Sequence, residues 1–80
     1  MSDEFGEAKR RFIELVQEID ADVTVVIPER STQDAFRISL TRGSSRRFMT
    51  VSEDDMLDVV EDERAAKKMH AQLRMEVARL

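Results

Sequence analysis

The chain contains no cysteine, tryptophan or tyrosine, and only one proline, one histidine and two glycines. Without cysteine there is neither a disulfide staple nor a thiolate nucleophile, and the absence fits a reducing, cytoplasmic setting. A single histidine with no cysteine beside it leaves too few ligands for a transition-metal site. Glycines at 6 and 43 alone cannot form a phosphate-cradling loop, and "GSS" at 43–45 lacks the second glycine of a nucleophile elbow. No apolar run approaches the ~20 residues that cross a bilayer. "MSDEFGEAKRRF" at the N-terminus lacks the apolar stretch of a signal peptide. With four phenylalanines as the only aromatics, little is available for stacking on nucleic-acid bases.

These absences set the expectation of a protein that is not an enzyme, with no cofactor, no metal, no membrane association and no small-molecule substrate. Acids are plentiful, but carboxylate catalysis needs two held in one cleft with separated pKa values. The acids at 53–63 also lack the D-x-D-x-D-G order of a calcium loop. His70, among Ala66, Met69, Leu73 and Arg74, reads as a packed or rim residue.

What is present is a mixture of 41% hydrophobic and 38% charged residues over 80 positions, against roughly 25% charged in typical soluble domains. Such a chain makes one small domain, residues 1–80, with a heavily charged exterior. Its net charge of −4 disfavours non-specific attraction to nucleic acid or anionic lipid.

Phe5, Ala8, Phe12, Leu15, Val16 and Ile19 recur at the spacing of one helical face and predict a helix over 3–20, with Ser2 or Asp3 as its N-cap. "VTVVIPE" at 23–29 is rich in β-branched residues and predicts a strand that Pro28 ends. Val23, Val25 and Ile27 share one face of it. "AFRISLT" at 35–41 alternates, with Phe36, Ile38 and Leu40 inward and Ala35, Arg37, Ser39 and Thr41 outward. "RGSS" is a turn using Gly43, and "RRFMTV" at 46–51 is a third strand. Met49 and Val51 form its core pair, which leaves Phe48 at an edge or a partner. Ser52 with Asp55 then makes a capping box, and Glu53, Asp54 and Asp55 complement the helix dipole.

A single helix over the last 28 residues would be ~42 Å long, whereas strands of about six residues span only about 20 Å. The helix must therefore break near 61–64 or project from the sheet. The fold class expected is α+β in the order α-β-β-β-α, a three-stranded antiparallel meander with helices packed on one face.

That order is shared with the double-stranded-RNA-binding domain. In that family a lysine cluster at the start of the last helix sits over phosphates, whereas this chain carries Glu53, Asp54 and Asp55 there. The loop "PERSTQD" also lacks the family's glycine–proline–histidine element. The likeness is one of topology, and binding of duplex RNA in that mode is not expected.

Charge runs in blocks: four arginines and no acid over 37–50, seven acids and no base over 51–63, then five bases against Glu76 over 64–80. Solvated faces and dipole matching account for most of this, and blocks of opposite sign can also align head to tail between two copies. Methionine suits adaptable protein contacts, and the last two turns are apolar beyond one stripe. The expected function is a non-enzymatic protein–protein interaction or regulatory module, homodimeric through the C-terminal helix. Its contact would use Met69, Leu73, Val77 and Leu80, with Met75 and Phe48 at the margin. A second reading is an anion or nucleic-acid contact by Arg37, Arg42, Arg46 and Arg47. A third engages a basic protein through Asp54, Asp55 and Asp58.

Overall fold

A computed structural model describes residues 4–80, with side chains from Phe5 onward. The element order is α1 (Glu4–Ile19), β1 (Thr24–Val26), β2 (Ala35–Arg42), β3 (Ser45–Ser52), α2 (Glu53–Glu61) and α3 (Glu63–Ala78). The α+β class and the antiparallel meander β1-β2-β3 agree with the sequence reading. The expected N-caps of α1, Ser2 and Asp3, lie outside the described residues.

Helix α1 buries the predicted stripe: Ala8, Phe12, Leu15 and Val16 are enclosed, while Phe5 and Ile19 pack at the margin. The Phe5 ring meets Phe36 of β2 edge to face, 5.2 Å between centroids. After α1 the chain turns at Asp20, whose carboxylate Oδ1 accepts the N–H of Asp22 at 2.9 Å. β1 is shorter than predicted. Its pairing stops at Val26, one residue short of the Ile27–Pro28 pair, and proline cannot donate to a ladder.

Gln33 and Asp34 form a tight turn with φ of 54° and 62°. It is closed by mutual backbone hydrogen bonds between Thr32 and Ala35 at 2.8 and 3.1 Å. The β2–β3 hairpin is tighter than the four-residue turn predicted. Arg42 pairs with Ser45, leaving the two-residue loop Gly43–Ser44. Gly43 has φ of 60°, as a II′ turn requires at its first central position, where a side chain would be strained.

The C-terminal segment breaks, as its length demanded. Asp62 is extended (φ −137°, ψ 118°) and serves both helices. Its N–H closes α2 on the Asp58 carbonyl at 2.9 Å, and its carboxylate caps α3 by accepting the Arg64 N–H at 2.9 Å. A continuous helix of ~42 Å would overrun the molecule, whose longest dimension is 36 Å. The elbow folds α3 back so that Met69, Leu73 and Val77 join Met56 and Val59 of α2 beneath the sheet. Each fully buried side chain of Leu or Phe size contributes about 1.5–3 kcal/mol, so the folded-back helix is a main source of stability. Among the described residues, no helix is long and apolar enough to cross a membrane.

Candidate interaction surface

All the buried sheet residues lie on one side. Phe36, Ile38, Leu40, Met49 and Val51 face the helices, and period-2 alternation sends their neighbours to the other face. That second face is uncovered. The register joins Val26 to Ser39 and Ser39 to Phe48, so one row crosses all three strands. Its two ends are the sheet's large exposed apolar side chains, Val26 at 57% and Phe48 at 49% exposure. Ser39 between them is small and partly buried. The guanidinium of Arg37 lies over the Phe48 ring, 4.6 Å from its centroid. A cation–π contact of this kind is worth about 0.5–1 kcal/mol for an exposed pair.

β3 is an edge strand of eight residues. Because Arg42 and Ser45 flank a two-residue loop, they form a hydrogen-bonded pair, and the alternation continues through Leu40–Arg47, Ile38–Met49 and Phe36–Val51. Arg46, Phe48 and Thr50 therefore turn their N–H and C=O groups away from β2. Among the described residues these groups receive no further backbone hydrogen bond. The same three residues send their side chains to the open face.

The four arginines do not form the single patch expected of an anion site. Arg37 and Arg46 are on the open face, but Arg42 and Arg47 share the inward row with Leu40. Arg42 binds the Asp20 carboxylate at 2.6 Å and the Leu80 carbonyl at 3.1 Å, tying the ends of α1 and α3 to the hairpin. Arg47 reaches Glu76 of α3 at 3.3 Å. The signal for this was already in the alternation, since 42 follows 36, 38 and 40 and 47 precedes 49 and 51. The Asp20 carboxyl is held below its ordinary pKa, first by the Asp22 N–H and then by Arg42.

The expected helix contact also needs correction. Met69, Leu73 and Val77 are enclosed in the chain's own core, because the elbow at Asp62 turns that stripe inward. Leu80 is half-buried against the same core. Only Met75, 61% exposed, remains outside, in a shallow depression with Ala71, Arg74 and Ala78. Asp54, Asp55 and Asp58 are exposed on α2, where the Asp55 N–H is capped by Ser52 Oγ at 3.1 Å. Glu53 is engaged, accepting from the Ser31 hydroxyl and so pinning the β1–β2 loop. His70 lines an open groove of about 340 Å³ between α1 and α3 with Arg11, Leu15, Glu18 and Lys67. One of its cations, Arg11, is paired with Glu18 at 3.4 Å.

Val26 is the residue that sequence reasoning missed. Its outward position followed from the period of β1, but its alignment with Phe48 depends on the register of two strand pairs. Set against known protein families, curated proteins and solved structures, the chain matches none.

Proposed function

We propose that the chain is a non-enzymatic protein-interaction module that works as a homodimer, using the Phe48 end of its exposed sheet face as the contact surface. The observation supporting this reading is the row Val26–Ser39–Phe48, which sets two exposed apolar side chains on the one sheet face that no helix covers. Contact surfaces are enriched in aromatic and arginine side chains, and Phe48 with Arg37 stacked on it supplies both. The rim of Thr24, Thr50 and Arg46 is polar and exposed, as the periphery of a contact surface is.

Several of the polar side chains are engaged in holding the fold. Asp20 and Glu76 bind arginines, Glu53 binds Ser31, and Ser52 and Asp62 cap helices. Sedimentation equilibrium over a concentration series, in low and in high salt, tests the proposal. The expected result is a monomer–dimer equilibrium that persists in high salt and is lost in Phe48→Asp but retained in Met75→Asp. A monomer at every concentration would overturn it.

A further inference from the structure

We infer that the second copy joins along the free edge of β3, making one six-stranded antiparallel sheet with Phe48 on the two-fold axis. This rests on the homodimer reading above and places the joint at the β3 edge, so that Phe48 meets the other copy while Val26, on the far strand, stays exposed. An edge strand whose outward N–H and C=O groups are unpaired is a template for another strand. Here Arg46, Phe48 and Thr50 present them. Side chains must stay on the same face across the joint, which restricts a symmetric pairing to registers centred on a residue rather than between two.

Charge selects among those registers. Centring on Arg46 or Arg47 sets like charges directly opposite each other, which is destabilising. Centring on Met49 asks Ser52 to join the ladder, but Ser52 is the N-cap of α2, and an N-cap carbonyl already accepts the first bond of its helix. Centring on Phe48 opposes Phe48 to its counterpart, Arg46 to Thr50 of the other copy, and Arg47 to Met49. No like charges meet. The ladder is then three bonded pairs with an aromatic pair at the middle.

The same register brings the charge blocks together. Gly43 of one copy lies level with Glu53 of the other, so each basic hairpin tip runs beside the acidic first turn of the neighbouring α2. Of the four arginines over 37–50, Arg42 and Arg47 are held by Asp20 and Glu76 within their own copy, which leaves Arg37 and Arg46 and the exposed Asp54, Asp55 and Asp58 to act across the joint. Antiparallel pairing across β3 is what sets these two blocks side by side. The open row would also become continuous, Val26–Ser39–Phe48 meeting its symmetry mate across six strands.

The chain's lack of cysteine permits a direct test. A spin label at Ser39→Cys, on the open face one strand in from the edge, should report Cα atoms about 15 Å apart, three strand spacings. A dimer through the helices would separate them by at least about 30 Å, since two helix layers would stand between the sheets. Thr50→Pro removes an outward N–H without touching the ladder to β2, as edge positions tolerate. It should keep the wild-type circular dichroism spectrum and weaken dimerisation at least about tenfold. A dimer that survives Thr50→Pro, whether with labels near 30 Å or at the ~10 Å of two stacked sheet faces, would overturn the edge register while leaving the homodimer intact. A strict monomer would overturn both.

Discussion

Replacing Leu73 with alanine separates a core role from a contact role for the C-terminal helix. Leu73 is fully enclosed, with Met69 and Val77 one turn to either side in the same cluster. Removing a buried leucine side chain to alanine costs about 3–5 kcal/mol, combining lost transfer energy with the cavity left behind. A domain of this length has a total stability of about 4–12 kcal/mol, so the loss is a large share of the whole. At about 4–8 °C per kcal/mol for a small domain, the melting temperature should fall by about 12 °C or more. The assay is thermal denaturation followed by circular dichroism at one fixed protein concentration, because the proposed dimerisation would make the melting temperature concentration-dependent. Met75→Ala, two residues along the same helix and exposed, is the internal control and should stay within about 0.5 kcal/mol of wild type. If Leu73→Ala melted with the wild type and only dissociated the dimer, the inward packing of α3 would be refuted.

Three further outcomes follow from particular contacts. The Asp20 carboxyl, held below its ordinary pKa by the Asp22 N–H and Arg42, stabilises the fold above the unfolded value of about 3.9 and stops doing so as pH falls through its lower folded value. Urea midpoints measured from pH 7 downward should therefore drop in this acid window. The drop should be smaller in Asp20→Asn, and Arg42→Ala should shift its onset towards higher pH. Gln33 and Asp34 both hold positive φ, so the double variant Gln33→Asn/Asp34→Gly should raise stability by about 1 kcal/mol in urea unfolding, since non-glycine residues in that region carry a backbone cost. Asp62→Ala removes the carboxylate that caps α3. It should cost about 1 kcal/mol, and Asp62→Asn, which also caps, should restore most of it.

The elements were largely legible in the sequence because each depends on contacts near in the chain. The helical stripe of α1 and the alternation of β2 both report which side of an element is apolar. The choice of Met49 and Val51 over Phe48 as the inward pair of β3 held, because period 2 admits only one of the two sets. The break in the last helix was legible as well, from length against the size of the sheet. Its place near 61–64 was legible too, and the break falls at Asp62; its form was not, because a one-residue elbow depends on how the Asp62 carboxylate meets the Arg64 N–H.

The proposed contact surface was legible only in part. Phe48 was singled out as a residue left over from a core, and it is exposed. Met69, Leu73 and Val77 were expected at a contact because a straight helix would have carried their stripe past the sheet. The elbow returned them to the core, where burying three apolar side chains outweighs one interrupted turn of helix. Likewise, four arginines close in sequence looked like one patch, and the pleat divided them between two faces.

The sequence by itself determined the order of elements, their inward faces and the charge blocks, since these follow from periodicity and composition along the chain. Only the tertiary structure decided that Val26 and Phe48 share a row, that Arg42 and Arg47 are tied to Asp20 and Glu76, and that β3 is left with a free edge. Register and folding back bring residues distant in sequence together, and no local spacing encodes which of them will meet.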